Sequence, residues 1–138
     1  MTSTNHLVTV VLPAHNEEAA LPLVVAAIMS AASAWHLEIV IVDDGRTAGT
    51  WREIQALQKA HREVRGLRFT RNFGHQSAIL AGLLAARGDA VIVMDADGQH
   101  PPGLIPTFLE RWREGFQVVQ AIRERRATAQ DAKQGDGR

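Results

Sequence analysis

The chain has 138 residues, with 15 basic and 15 acidic side chains, no cysteine and a hydrophobic content of 46%. This length suits one domain or part of a larger one, and the composition supports a buried core rather than a disordered chain. The absence of cysteine excludes thiol nucleophiles, thiolate metal sites and a disulfide scaffold. An aromatic content of 5% without a basic stripe argues against a nucleic-acid partner.

Short apolar segments alternate with helical patterns along the chain. Continuous apolar runs rich in β-branched residues predict buried strands, and they lie at residues 7–12, 37–42, 67–70, 90–94 and 116–121. A helical pattern follows each of the first four runs. This order predicts an α/β fold, an open and mostly parallel doubly wound sheet with helices on both faces.

The first two helices are predicted from capping signals and apolar spacing. Asn16 resembles the N-cap of the first helix, and Thr50 with Glu53 resembles a capping box at the start of the second. The inward stripe of the first helix is predicted to hold Leu21, Val24, Val25, Ile28 and Ala32, and that of the second Trp51, Ile54 and Leu57.

The third helix is predicted to end at Gly88, and the fourth to begin at Pro101-Pro102. The same spacing rule predicts inward residues at Ile79, Leu80, Leu83 and Leu84 in the third helix, and at Leu104, Ile105, Phe108, Leu109 and Trp112 in the fourth.

The chain is expected to comprise a polar N-terminal tail (1–6), a domain (7–126) and a disordered tail (127–138) without large apolar side chains. Its longest apolar stretch, Leu21–Trp35, has 15 residues, fewer than the ~20 that cross a bilayer. We therefore expect no membrane-spanning segment in this chain. The expected location is cytoplasmic, with a peripheral position at the cytoplasmic face of the membrane as the alternative.

Acidic side chains follow two of the predicted strands. Asp43 and Asp44 end the second, and Asp95 and Asp97 end the fourth. Carboxyl ends of parallel strands meet at one edge of a sheet, where ligands bind. Clustered carboxylates repel one another unless a cation lies between them, and Mg²⁺ or Mn²⁺ suits such oxygen ligands. Gln99 could add an oxygen; read alone, however, an Asp-x-Asp pair is more often a turn or a helix cap.

Two common nucleotide motifs are missing from the sequence. No Gly-x-Gly-x-x-Gly follows the first strand and no Gly-x-x-x-x-Gly-Lys-Ser/Thr occurs, so a dinucleotide site and a P-loop are unsupported. A receiver-like signalling domain is disfavoured because no lysine lies at a late strand end. Anion binding would therefore depend on the metal, with Arg71 and Arg123 among the candidate phosphate contacts.

Four segments carry a resemblance to a known family. They are Val10–Glu18, Ile41–Gly45, Arg71–Gln76 and Val93–Pro102. Together they resemble the glycosyltransferase family 2 domain, and within it most closely the polyprenyl-phosphate glycosyltransferases, the group of dolichol-phosphate mannosyltransferase and bactoprenol glucosyltransferase. The resemblance covers about residues 7 to 126 and implies a GT-A fold, a nucleotide-sugar donor and a divalent metal, Mg²⁺ or Mn²⁺.

The resemblance also implies roles for residues after the first two strands. Pro13, His15 and Glu17 would line the nucleotide pocket, and His15 stands where the family usually has tyrosine. Val42 and Asp44 would contact the base and the ribose. The reaction implied is sugar transfer from a UDP- or GDP-linked donor to a polyprenyl phosphate at the membrane surface.

The remaining implied roles belong to the fourth strand and beyond. Asp95, Ala96 and Asp97 form the Asp-x-Asp segment of the family, with Asp97, Gln99 and Asp95 as metal ligands. Arg123 would meet the diphosphate or the sugar. Family members continue into an acceptor region that supplies the catalytic base, so we expect a further C-terminal region or a membrane-anchoring partner to complete the enzyme. A non-catalytic or degenerate module that binds nucleotide sugar stays open as the alternative.

Overall fold

The computed structural model describes residues 6–44, 48–71, 73–96 and 102–115. Strands and helices alternate through this part of the chain, which confirms the predicted order. They are β1 (Leu7–Ala14), α1 (Leu21–Ala31), β2 (His36–Asp43), α2 (Ala48–Ala60), β3 (Val64–Arg68), α3 (His75–Ala85), β4 (Ala90–Val93) and α4 (Ile105–Arg113), with a 3₁₀ turn over Pro102–Leu104. The strand predicted at 116–121 and the tail at 127–138 lie outside the described residues.

The four strands form one parallel sheet in the order β3-β2-β1-β4. β1 is central, and its Val10 pairs with Ile39 of β2 on one side and Ile92 of β4 on the other. All but the first of its side chains are buried, as expected for a strand with helices on both faces. The α/β prediction is therefore confirmed.

Alternate side chains of the central strands point into two separate cores. The larger core contains Leu12 and Ile41 of the sheet, packed with buried residues of α1, α2 and α4. The smaller core lies on the opposite face and contains Val40 and Val42, packed against Ala78 of α3. Helices thus cover both faces, but α3 alone covers the second face in the described part of the chain.

The inward stripe predicted for α3 is wrong at three of its four positions, and Ile79 is partly buried. Leu80, Leu83 and Leu84 are exposed, and the buried residues of this helix are Ala78 and Gly82. A Cβ atom at Gly82 would lie 2.3 Å from Cγ1 of Val11, so the helix axis is too close to the sheet for any larger side chain there. Close approach selects small residues on the inner side of the helix and leaves the leucines outside.

Both predicted N-terminal caps are also wrong. α1 begins at Leu21, with Pro22 in its first turn, and Asn16 instead has a φ of 54° in the preceding loop. α2 begins at Ala48, and the Thr50 hydroxyl donates to a glutamate of another segment rather than capping the helix. Sequence spacing located each helix correctly but could not show which partner the polar side chains would meet.

Two smaller predictions also differ from the structure. α3 ends at Ala85, so Gly88 lies beyond it in the connection to β4. Leu104 is exposed, because it belongs to the 3₁₀ turn that precedes α4. Ile105 and Leu109 are buried as predicted. Among the described residues, no helix is both long and apolar enough to cross a bilayer.

Candidate functional site

The sheet changes its winding direction between β1 and β4. The chain moves outward from β1 to β2 and β3, and then returns through α3 to place β4 on the other side of β1. Because the flanking connections leave on opposite faces, a crevice opens at the carboxyl ends of these strands, where open α/β sheets bind ligands. The residues after β1, β2 and β4 therefore form the candidate site.

The ends of β1 and β2 are joined by a histidine and an aspartate. His15 follows β1, and its Nδ1 contacts the Asp44 carboxylate, which follows β2 and is almost fully buried. The backbone amide of Asp44 also donates to the carbonyl of Ala14 at 3.3 Å. The neighbouring Asp43 is fully buried, with its Oδ2 3.6 Å from Nε of Arg68. Asp44 thus reaches the loop after β1.

The loop after β1 is held by its own polar side chains. The backbone amide of His15 donates to Oε1 of Glu17 at 3.3 Å. The Glu17 carbonyl accepts from the amides of Ala20 and Leu21, both at 3.0 Å, which closes the turn into α1. Asn16 adopts the left-handed conformation between these contacts, one that asparagine tolerates better than most residues.

Glu18 connects this loop to the start of α2. Its Oε1 accepts from the Thr50 hydroxyl at 2.8 Å, and a Cβ on Gly49 would lie only 2.9 Å from its Oε2. Hydrogen bonds from its own backbone amide and from Thr50 lower the pKa of Glu18. The carboxylate therefore stays ionised near the positive end of the α2 dipole, a favourable position for a negative charge.

The end of β4 contributes Asp95 and Ala96. Asp95 is about one-third exposed, and its Oδ1 lies 3.6 Å from Nε2 of His75 in the first turn of α3. Ala96 is buried. The sequence pattern did not predict the proximity of His75 to Asp95, because it depends on where α3 crosses the sheet.

The predicted site residues that the structure describes lie near one edge of the sheet. Pro13 and Val42 are paired across β1 and β2 near the carboxyl ends of these strands, and both are buried. His15 and Glu17 follow β1, Asp44 follows β2, and Asp95 follows β4 on the other side of β1. Asp97, Gln99 and Arg123 lie outside the described residues.

The described residues fit part of a divalent cation site. Asp95 offers a carboxylate that is accessible at a strand end, the kind of oxygen ligand Mg²⁺ and Mn²⁺ prefer. Within residues 6–44, 48–71, 73–96 and 102–115, no three acidic or histidine side chains are grouped closely enough to hold a metal ion. A complete site at this edge would need the other predicted ligands, Asp97 and Gln99.

The comparison with protein-family models gives a match over residues 9–136, to glycosyl transferase family 2. The match covers nearly the whole chain. The chain belongs to this family. The family resemblance drawn from the four motifs is confirmed.

Two curated relatives show which members of the family are similar. The chain is 44% identical over 127 residues to an undecaprenyl-phosphate 4-deoxy-4-formamido-L-arabinose transferase of Pseudomonas paraeruginosa, covering 87% of this chain and 36% of the relative. It is 38% identical over 123 residues to a prophage bactoprenol glucosyl transferase homolog of Escherichia coli K12, covering 88% of this chain and 40% of the relative. The chain thus spans well under half the length of both.

A solved structure supports the same fold. Glucosyl-3-phosphoglycerate synthase of Mycobacterium tuberculosis, solved in complex with Mn²⁺, UDP-glucose and phosphoglyceric acid, has a TM-score of 0.61 and 25% identity. The match covers 80% of this chain and 40% of the synthase. The predicted GT-A architecture is confirmed by this similarity.

Proposed function

We propose that this chain is the donor-binding part of a glycosyltransferase that moves a sugar from a nucleoside-diphosphate sugar to a polyprenyl phosphate. The observation that carries the proposal is the position of the His15–Asp44 pair and of Asp95 at the carboxyl ends of neighbouring strands in a family 2 sheet. The names of the two curated relatives, an undecaprenyl-phosphate transferase and a bactoprenol transferase homolog, support the acceptor class.

On this proposal the β1 and β2 ends bind the nucleoside. Pro13 and Val42 form an apolar floor, and Asp44 accepts hydrogen bonds from the ribose or the base. His15 and Glu17 border the same pocket from the loop after β1. The anchored loop would meet the nucleotide with little rearrangement, which reduces the entropy cost of binding.

The β4 end is proposed to hold the diphosphate through a divalent ion. Asp95, Asp97 and Gln99 would ligate Mg²⁺ or Mn²⁺, with Ala96 between the two aspartates and Arg123 contributing a cation to the diphosphate or sugar. The ion, when bound, would neutralise the negative charge that develops on the leaving diphosphate. The Mn²⁺ and UDP-glucose in the complex of the structural neighbour support this chemistry.

Titration calorimetry with UDP- and GDP-linked sugars tests donor and metal together. We expect binding heat with Mg²⁺ or Mn²⁺ present and none in chelator, and we expect Asp97→Asn to abolish it. Asp89→Asn is the matched control, because Asp89 lies beside β4 at the opposite edge of the sheet and its oxygen accepts from the Leu7 amide. Equal binding in chelator would contradict the metal assignment.

Turnover tests the acceptor. The chain covers only 36–40% of the curated relatives, so we expect metal-dependent donor binding but little or no sugar transfer to a short polyprenyl phosphate by this chain alone. Binding without transfer, restored when the remainder of a full-length relative is added, would support a donor-binding part. Binding that no added region converts to transfer would favour the non-catalytic module.

A further inference from the structure

We propose that His15 is a positioning residue that sets the orientation of the Asp44 carboxylate for the nucleoside. This inference rests on the proposed function, because it names how the pocket between the ends of β1 and β2 is pre-organised.

One hydrogen on the His15 ring can be located from its contact with Asp44. Nδ1 contacts Oδ2 of Asp44, and an ionised carboxylate can only accept, so Nδ1 carries a hydrogen and donates it. Nε2 lies on the other side of the ring, 3.4 Å from the side-chain nitrogen of Asn16.

The difference in burial between the two residues indicates which one orients the other. The Asp44 side chain is 9% exposed and follows directly on β2, whereas His15 is 47% exposed and belongs to the loop. The sheet therefore fixes the backbone of the aspartate. The imidazole, which belongs to the loop after β1, contacts the carboxylate and restricts its rotamer.

The backbone of the loop maintains this contact. Asn16 has a φ of 54°, and the His15 amide donates to Glu17. These two features restrict the backbone of the loop that carries the ring. A carboxylate held in one rotamer offers its acceptors in a fixed direction, and a ligand with hydroxyl or imide N–H donors then binds without first ordering it.

Two substitutions of His15 distinguish the contribution of its hydrogen-bond donor from that of the size and shape of its ring. His15→Asn places a side-chain N–H close to the position of Nδ1, and His15→Phe keeps a flat ring of similar size without any donor. Affinity for UDP and for GDP is measured by calorimetry with Mg²⁺. We expect His15→Phe to weaken the better ligand at least about tenfold, the effect of losing a hydrogen bond to a charged group, and His15→Asn to recover most of that loss.

A double-mutant cycle with Asp44→Asn tests whether the effect passes through the carboxylate. If it does, His15→Phe costs much less affinity in the Asp44→Asn background than in the native one. Stacking of the ring on the base would instead give the same cost in both backgrounds, which would overturn the proposal. Nitrogen NMR of the free chain adds a direct signature, since a hydrogen on Nδ1 is expected and one on Nε2 in the neutral form contradicts it.

The binding results separate the proposed function from the positioning role of His15. A native chain that binds neither nucleotide overturns the proposed function and this inference together. A native chain that binds, with an affinity unchanged by His15→Phe, overturns the positioning role alone.

Discussion

The two faces of the sheet are built in different ways. On the face covered by α1, α2 and α4, large aliphatic side chains such as Leu12, Ile28 and Ile54 fill the space between the layers. On the face covered by α3, Ala78 and Gly82 bring the helix against the strands, and its leucines are outside. The first face is stabilised mainly by buried volume, and the second by close approach.

A buried polar network completes the α3 face. The Glu38 carboxylate of β2 accepts from the Thr9 hydroxyl at 2.7 Å and from the Arg87 amide at 2.7 Å. Arg65 donates to it from Nε at 3.1 Å and also to the carbonyl of Ala85 at 2.6 Å. This network holds the C-terminal end of α3, and the N-terminal end of that rigid helix carries His75 to Asp95. The α3 face thus contributes His75 to the candidate site, in addition to the residues of the loop that leads into α1.

The largest expected effect is on the aliphatic face. Ile28→Ala removes a fully buried side chain of α1 and should lower the free energy of unfolding by about 2–5 kcal/mol. Leu23→Ala on the same helix is the control, because Leu23 is 74% exposed and its truncation should cost less than about 0.5 kcal/mol. Urea denaturation of both variants measures the difference. Equal losses would mean that α1 does not present Ile28 to the core.

On the α3 face, adding an atom is expected to lower the free energy of unfolding, because the helix lies so close to the sheet. Gly82→Ala places a Cβ 2.3 Å from Val11, and the overpacking should cost about 1–3 kcal/mol despite the better helix propensity of alanine. Gly103→Ala is the control, since nothing lies within 4 Å of a Cβ there. Denaturation measures both variants, and a stabilised Gly82→Ala protein would contradict the close approach of α3.

Much of the fold followed from the sequence, because β-branched runs before helical patterns have few architectures available to them. Apart from the helix caps and Leu104, the main failure was in α3. Its leucine spacing predicts an apolar stripe, but spacing does not reveal the distance between the helix and the sheet, and that distance selected Ala78 and Gly82 instead. Gly82 within an apolar helical pattern was the available signal of close packing.

The candidate site could be predicted in position but not in detail. Asp44 and Asp95 were expected at one edge because parallel strands end together, and both lie at the carboxyl edge of the sheet. The contacts of His15 with Asp44 and of His75 with Asp95 depend on a left-handed Asn16 and on the path of α3. Neither is encoded in the spacing of residue types along the chain.

A smaller effect is expected from the polar network on the α3 face. Burial raises the pKa of Glu38, but the donors around it outweigh that effect and hold the pKa below its ordinary value of 4.5. The network therefore stabilises the fold fully above about pH 4.5 and loses this contribution as the pH falls through the lower folded value.

Glu38→Gln tests this contribution. The variant should lose about 1–2 kcal/mol at neutral pH, and its stability should depend less on pH in the acid range than that of the native chain. Glu110→Gln on α4 is the matched control, since that exposed carboxylate pairs only at the surface with Arg113. Denaturation midpoints measured between neutral pH and pH 3 provide the comparison. Parallel pH profiles for the Glu38 variant and the native chain would contradict the role of the network.

The smallest expected effect decides most directly between the sequence prediction and the structure. Leu84 is 79% exposed on α3, although its helical spacing placed it in the inward stripe. Leu84→Gln preserves helix propensity and loses little buried area, so the free energy of unfolding should change by less than about 0.5 kcal/mol. An inward Leu84 would instead bury a polar amide and cost several times more. A large loss in urea denaturation would therefore restore the leucine stripe and remove the close approach that brings α3, and with it His75, to the candidate site.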